Sequence, residues 1–194
     1  NGWGLVYSCP MVAAKLVMPG PKMGDGETLC ALINEEQVTC SAGVPTVWLG
    51  LLGHMRKTEQ KFTSLKRVLI GGSAAPRAMM REFQEKYGVE GLQGWGMTEM
   101  SPIGTVSMIR PKDADLPLDR QFDIKAKQRR AVLGVEMKIV NDDGQALPRD
   151  GKSFGELLVR GPAIISGYYE NPEASAKAFD SEGWFRTGDV SKID

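Results

Sequence analysis

Apolar runs alternate with amphipathic helical stretches over residues 1–113 of the chain. The runs at 38–44 and 68–70 are short, rich in β-branched residues and closed by proline or glycine, which predicts buried strands. Residues 27–37 and 76–88 carry apolar side chains at spacings of three and four, which predicts helices. Strands that alternate with helices indicate an α/β fold, with a parallel sheet and flanking helices.

The pattern changes after residue 113. Residues 114–130 are charged and show no clear period, so we interpret them as an exposed connection. Short strand-like runs follow at 135–140 and 155–161. Residues 131–194 are therefore predicted to form a small β-rich subdomain, with a hairpin turn at 141–144 and a short helix that begins at Asn171-Pro172.

Charge excludes some classes of partner. The 194 residues carry 24 Lys plus Arg and 24 Asp plus Glu, a formal net charge of zero. This balance argues against a basic surface for nucleic acid or membrane. The densest basic cluster, Lys125, Lys127, Arg129 and Arg130, is interpreted as a solvated loop. No apolar run is long enough to cross a bilayer, and no signal peptide is visible.

The cysteines indicate the redox compartment of the protein, and the start of the chain indicates that it belongs to a longer one. Cys9, Cys30 and Cys40 are few, odd in number and without zinc-type spacing, which favours reduced thiols in a cytoplasmic protein. The single histidine, His54, is expected to lie at the surface or in packing. The chain begins without methionine inside apolar sequence, so we expect it to be a piece of a larger protein.

Residues 93–99, which read QGWGMTE, carry the first candidate chemistry. Gly94 and Gly96 allow close approach of the backbone to a ligand, and Trp95 offers a flat face. Thr98 offers a hydroxyl to a phosphate oxygen, and Glu99 offers hard oxygens to Mg²⁺. Together they predict a nucleotide site. Taken singly, each has an ordinary alternative as a turn glycine, a packed aromatic or a solvated charge.

Two further segments extend the candidate site. Gly71-Gly72-Ser73 ends the predicted strand at 68–70, and ligands on parallel sheets bind beyond such strand ends. Asp189 follows Gly188 and can offer two acceptor oxygens to a ribose diol. An ordinary strand-to-helix turn and an ordinary turn aspartate are the alternatives.

These motifs resemble the adenylate-forming (AMP-binding) superfamily, and most closely its fatty-acid and related acyl-CoA ligases. QGWGMTE at 93–99, GELLVRGPAIISGYY at 155–169 and GWFRTGD at 183–189 occur in the family's order. The segments NGWG at 1–4, AGVPTVW at 42–48 and GGSAAP at 71–76 also match. The resemblance covers essentially the whole chain, and its motifs are specific as a set.

The resemblance implies a reaction with ATP, Mg²⁺ and coenzyme A. A carboxylic acid, first of all a medium- or long-chain fatty acid, is converted to acyl-AMP, and coenzyme A then takes the acyl group. The β-rich part would be a distorted barrel. The residues implied at the site are Gly72, Ser73, Gln93, Gly94, Trp95 and Gly96 around adenine, Thr98 at the α-phosphate, Glu99 on Mg²⁺, Asp189 on the ribose, and Trp3, Val44 and Pro45 along the acyl channel.

Several features of the family are missing from the chain. Its phosphate loop and active-site histidine would lie before Asn1, and its hinge and small C-terminal domain with the catalytic lysine would follow Asp194. We therefore expect this chain alone to be inactive while its parent turns over. Gln128-Arg129-Arg130 holds arginine where the family usually has glycine, which puts that turn in doubt.

Three other functions stay open at this point. They are an adenylation domain that loads a carrier protein, a luciferase-like oxidoreductase on the same scaffold, and a binding module without catalysis. Thr98, Glu99 and Asp189 argue against the last. Short thioether and aromatic acids also remain open as substrates, and a homodimer is one expectation because many relatives dimerise.

Overall fold

The computed structural model describes residues 2–128 and 130–194. Asn1 and Arg129, both named above, lie outside the described residues. The chain divides into two compact units. Unit 1 comprises 1–96 and 105–130, and unit 2 comprises 97–104 and 131–194.

Helices and strands alternate along the described residues. The α-helices are α1 (Leu5–Met11), α2 (Gly26–Glu35), α3 (Pro45–Thr58), α4 (Arg77–Tyr87), α5 (Leu118–Lys125) and α6 (Pro172–Ala178). The strands are β1 (Cys40–Gly43), β2 (Arg67–Ile70), β3 (Glu90–Gly96), β4 (Ile103–Val106), β5 (Arg130–Ala131), β6 (Glu136–Val140), β7 (Gly155–Arg160) and β8 (Phe185–Ser191). Single turns of 3₁₀ helix lie at Gly2–Gly4, Gly20–Lys22, Thr98–Met100 and Pro111–Asp113.

The predicted α/β fold is confirmed. Strands β1 to β5 form one sheet in that order, and β1 to β3 are parallel. Boundaries between the two units fall within β4 and between the two residues of β5. A helix forms each parallel crossover: α3, which the sequence pattern did not predict, joins β1 to β2, and α4, predicted at 76–88, joins β2 to β3. The carboxyl ends of β2 and β3 therefore lie at one edge of the sheet.

The core of unit 1 is formed by α2, α3 and α4 against the sheet. Trp48 and Phe83 are fully buried, with ring centroids 5.9 Å apart in an edge-to-face arrangement. The Trp48 Nε1–H donates to the Gly43 carbonyl oxygen at 2.9 Å, which ties α3 to the end of β1. Burial of one such aromatic or aliphatic side chain contributes about 1.5–3 kcal/mol.

Residues 114–130 are mostly exposed, but they contain α5, which the sequence pattern did not predict. Phe122 is 2% exposed, and the Arg81 guanidinium lies 5.1 Å above its ring. Lys125 is 4% exposed, and its Nζ lies 3.6 Å from the Glu90 carboxylate. Burial lowers the pKa of Lys125 although Glu90 opposes that shift. Phe122 and Lys125 therefore pack on the rest of unit 1, while the other charged residues that the structure describes in this segment are exposed.

Unit 2 contains a three-stranded antiparallel sheet of order β6-β7-β8, as the β-rich prediction required. Three consecutive residues of β7, Leu157, Leu158 and Val159, are buried because it is the central strand. Phe185 is 2% exposed and packs edge-to-face on Phe179 at 5.4 Å. Closure of this sheet into a barrel stays a prediction.

The predicted cap of the short helix is also confirmed. The Asn171 side chain accepts a hydrogen bond from the Ala174 N–H at 3.0 Å, and Pro172 occupies the first turn of α6. This cap fixes the start of α6 directly after the Gly167-Tyr168-Tyr169 segment.

Candidate active site

The ends of β2 and β3 approach each other closely in unit 1. A β-carbon at Gly71 would lie 3.2 Å from the Gly94 carbonyl oxygen and 3.4 Å from the Trp3 ring. These distances leave little room for a side chain at Gly71. The two glycine-rich segments predicted as walls of one slot are therefore neighbours, and the Trp3 ring packs against their junction.

Gly72 continues this surface. Its φ of +78° lies in the left-handed region that favours glycine, and a β-carbon would lie 3.0 Å from Val44 Cγ1. Val44 is 38% exposed, and Pro45 is buried at the first position of α3. The structure thus brings Trp3 and Val44 to the same Gly71-Gly72 turn, with Ser73 exposed beside it.

Gln93 is 1% exposed and supports the 71–75 loop through buried hydrogen bonds. Its Oε1 accepts a hydrogen bond from the Ala75 N–H at 2.9 Å, which holds the end of the 71–75 loop. Its own N–H donates to Ser107 Oγ at 3.2 Å, and its carbonyl oxygen accepts from the Ser107 N–H at 2.8 Å. These contacts place Gln93 as a support of the loop.

The end of β3 presents the rest of the unit 1 motif. Gly94 and Trp95 are half-buried, and Gly96 is exposed. The strand runs through Gly96, beyond the short lead expected at 91–93. The Trp95 ring is thus carried on a strand whose position is fixed by pairing with β2.

Unit 2 carries the polar part of the motif on the 3₁₀ turn Thr98–Met100. Met100 is 1% exposed and anchors the turn, which leaves Thr98 exposed and Glu99 half-buried. The Glu99 carbonyl oxygen accepts a hydrogen bond from the Ile165 N–H at 2.9 Å. Main-chain and core contacts therefore hold the turn that presents these two side chains.

Tyr168 is the neighbour of Glu99 that the sequence did not reveal as a site residue. Its hydroxyl donates to Glu99 Oε1 at 3.0 Å. Burial and this hydrogen bond both raise the pKa of Tyr168, so the phenol stays protonated and available as a donor. The available signal was the tyrosine pair in ISGYY, but 69 residues separate Tyr168 from its partner.

Asp189 lies on β8, not in an isolated turn. Gly188 before it has a φ of +74°, and the register between β7 and β8 shifts at this point, as in a β-bulge. Thr187 Oγ1 donates to the Leu157 carbonyl oxygen at 2.7 Å and accepts from the Asp189 N–H at 3.1 Å. The carboxylate is exposed on a backbone that these contacts fix.

The described residues contain neither a preformed cluster of metal-ligating side chains nor a helix able to span a membrane. Residues 2–128 and 130–194 contain no group of three or more His, Cys, Asp or Glu side chains able to hold a metal ion. A single carboxylate such as Glu99 suits Mg²⁺, which is commonly bound by one or two carboxylates together with phosphate oxygens of the substrate. Within the same residues, no helix combines the length and apolarity needed to span a bilayer.

Comparisons with known proteins extend over the whole chain. The family model described as AMP-binding enzyme matches residues 1–169. All 194 residues align with the medium-chain-fatty-acid–CoA ligase of Ectopseudomonas oleovorans at 47% identity, and with the 3-methylmercaptopropionyl-CoA ligase of Ruegeria lacuscaerulensis at 44%. The chain spans 35% of each of these relatives, about a third of their length.

A solved structure agrees with these sequence matches. The long-chain-fatty-acid-CoA ligase FadD1 of Archaeoglobus fulgidus superposes with a TM-score of 0.72 at 27% identity, over 88% of this chain and 35% of that one. The fold of this chain therefore also occurs in that ligase. The family model, the sequence identities and the fold agree: this chain belongs to the AMP-binding enzyme family.

Proposed function

We propose that the chain forms part of an ATP-dependent acyl-CoA ligase that activates a carboxylic acid as acyl-AMP and transfers it to coenzyme A. Fatty acids are the first substrate class in this proposal. One observation carries it, the alignment of all 194 residues with CoA ligases at 40–47% identity. Because the chain spans about a third of those relatives, the activity is proposed for the protein that contains it.

Unit 1 would supply the walls for adenine and the acyl chain. Gly72 and Ser73 on one side and Trp95 on the other would border the adenine, and the glycines would allow close approach. Trp3 and Val44 would lie along the acyl chain, and their packing against the Gly71-Gly72 turn supports this role. Each methylene buried there contributes about 0.8 kcal/mol to binding.

Unit 2 would hold the phosphates and the cation. The Thr98 hydroxyl would donate to the α-phosphate, and the Glu99 carboxylate would bind Mg²⁺. Bound Mg²⁺ would neutralise phosphate charge and polarise the phosphoryl oxygens. The half-buried carboxylate on an anchored turn supports this assignment, since a fixed donor set requires no rearrangement during reaction.

Asp189 would bind the ribose. Its two carboxylate oxygens can accept hydrogen bonds from two neighbouring hydroxyls. The bulge around Gly188 interrupts the regular up-and-down alternation of side chains along β8, which sets the direction of the Asp189 side chain. Binding of the nucleoside at a fixed carboxylate would orient the α-phosphate for attack.

The proposed reaction has two steps. The acid's carboxylate attacks the α-phosphorus, the bond to pyrophosphate breaks, and acyl-AMP forms. The sulfur of coenzyme A then attacks the acyl carbon, AMP leaves with the bonding electrons, and the thiol proton is lost. Thr98 would stabilise the negative charge that develops on the α-phosphoryl oxygens during the first step.

A chimera tests the proposal. The 194 residues would replace the aligned third of the Ectopseudomonas oleovorans ligase, and pyrophosphate release and acyl-CoA would be measured with hexanoate, octanoate and 3-methylmercaptopropionate. We expect activity, and a loss of about 100-fold or more in kcat/KM for Glu99→Gln. Glu173→Gln on α6, at an exposed site, is the matched control.

Two results would contradict the proposal. The first is a folded chimera that releases no pyrophosphate with any acid. The second is equal activity of the Glu99→Gln and Glu173→Gln variants. Replacement of coenzyme A by a carrier protein as acceptor, in the same assay, distinguishes a CoA ligase from a carrier-loading enzyme.

A further inference from the structure

Glu99 is held twice by one segment of unit 2. The Tyr168 hydroxyl donates to its side-chain Oε1 at 3.0 Å, and the Ile165 N–H donates to its carbonyl oxygen at 2.9 Å. Both donors come from the stretch just before α6. The side chain and main chain of one residue are therefore restrained from the same side.

Tyr168 is itself restrained by α6. Its N–H donates to Ser175 Oγ at 2.8 Å, and the Ser175 hydroxyl also bonds to the Asn171 carbonyl oxygen at 2.8 Å. A β-carbon at Gly167 would lie 3.1 Å from Ser175 Oγ, so the backbone beside Tyr168 packs tightly on the helix. The phenol thus projects toward Glu99 from a fixed base.

The adjacent tyrosine differs. Tyr169 is 90% exposed, whereas Tyr168 is 38% exposed. The two residues share chemistry and chain position, and the hydrogen bond to Glu99 belongs to Tyr168 alone of the pair. Substitution of each in turn separates the effect of that bond from any general effect of losing a tyrosine hydroxyl.

We propose that Tyr168 is a positioning residue for Glu99, and that its hydroxyl orients the carboxylate for the cation that accompanies ATP. The inference rests on the proposed function. A donor on Oε1 fixes the rotamer of the side chain and leaves acceptor sites on both oxygens for a cation. Without that donor, the carboxylate must be ordered when the metal–nucleotide complex binds, and affinity falls.

The test measures cation binding directly in the chimera described above. Mn²⁺, in place of Mg²⁺, is titrated with α,β-methylene-ATP present and followed by electron paramagnetic resonance. We expect Tyr168→Phe to raise the Kd of Mn²⁺ about tenfold, equivalent to about 1.4 kcal/mol. Tyr169→Phe should change it less than about twofold, since its hydroxyl does not contact Glu99.

Two further readouts exclude a merely structural role. Affinity for a metal-free, non-hydrolysable acyl-adenylate mimic should be the same in wild type and Tyr168→Phe. In a Glu99→Gln background, Tyr168→Phe should weaken Mn²⁺ binding no further, because the group it orients is already lost. Both results are expected if Tyr168 acts only through Glu99.

Failure has distinguishable forms. Unchanged or tighter Mn²⁺ binding in Tyr168→Phe overturns the inference, since tighter binding would mean that the phenol competes with the cation. Equal weakening of the metal-free mimic also overturns it. An inactive wild-type chimera that binds no Mn²⁺–nucleotide refutes the proposed function as well as the inference.

Discussion

Replacement of Gln93 by methionine tests how the 71–75 loop is held. Methionine has a similar volume, so the substitution removes the amide without opening a large cavity. The Ala75 N–H then loses its acceptor at a position where Ala75 is 7% exposed. A buried donor without a partner costs about 1–3 kcal/mol.

This cost predicts two measurable effects. A chain of this length shifts its melting temperature by about 2–4 °C for each kcal/mol, so calorimetry of Gln93→Met should show a decrease of several degrees. Affinity for an acyl-adenylate mimic should also fall in the chimera, because Gly72 and Ser73 lie on the loop that Gln93 holds. Gln84→Met, at a partly exposed site on α4, is the control.

The reasoning is refuted if Gln93→Met melts with wild type and binds the mimic equally well. That result would show that the loop is held by its glycine contacts and by α4 alone. A loss of stability without any loss of affinity would restrict Gln93 to a role in folding.

Two further predictions concern stability. Gly26→Ala should destabilise the chain, because a β-carbon would lie 2.5 Å from the Gly50 carbonyl oxygen, where α2 and α3 pack. Gly53→Ala has open space around its β-carbon and should raise the free energy of unfolding in urea by about 0.5–1 kcal/mol. Burial raises the pKa of Asp180, but hydrogen bonds from the Trp184 N–H and from Lys138 outweigh it and hold that pKa below its ordinary value of 3.8. The ionised carboxylate therefore stabilises the fold above pH 3.8, and this stabilisation is lost as the pH falls further. Acid titration of Asp180→Asn should show a shallower loss of stability below pH 4, and an unchanged acid limb would contradict this.

Several regular elements of unit 1 were predicted where apolar spacing and end signals agree, whereas the helix α3 was not predicted. The strand at 38–44, the strand at 68–70 and the helix ending at Gly88 all occur close to their predicted places. Gly88 has a φ of +65°, the left-handed conformation expected after a helix.

Helix α5 was missed because its helical signal is short. Its buried face consists of Phe122 and Lys125. From sequence alone a lysine is expected to face solvent, so the buried face was not recognised. Only the fold shows that Glu90 and the first turns of α4, with Arg77 and Arg81, lie beside this segment. Tertiary contacts, not local propensity, therefore decide its structure.

The candidate site was predicted as a set of residues but not as a set of contacts. Trp3 and Gly71, or Glu99 and Tyr168, lie so far apart in sequence that local pattern cannot pair them. Gln93 is a second example. Its position in the motif predicted contact with the adenine, whereas its side-chain oxygen accepts a hydrogen bond from the Ala75 N–H. Contacts between residues that are distant in the sequence are set by tertiary packing and cannot be predicted from motif spacing.

Binding of an acyl-adenylate mimic tests the central claim most directly. A non-hydrolysable mimic is titrated calorimetrically into the chimera, its Asp189→Ala variant and an Asp142→Ala control in the exposed turn after β6. We expect Asp189→Ala to weaken binding about 10- to 100-fold, the loss of about 1.4–2.8 kcal/mol from charge-assisted hydrogen bonds to the ribose, and Asp142→Ala to have no effect. Equal affinity of the two variants would contradict the assignment of this chain's residues to a nucleotide site.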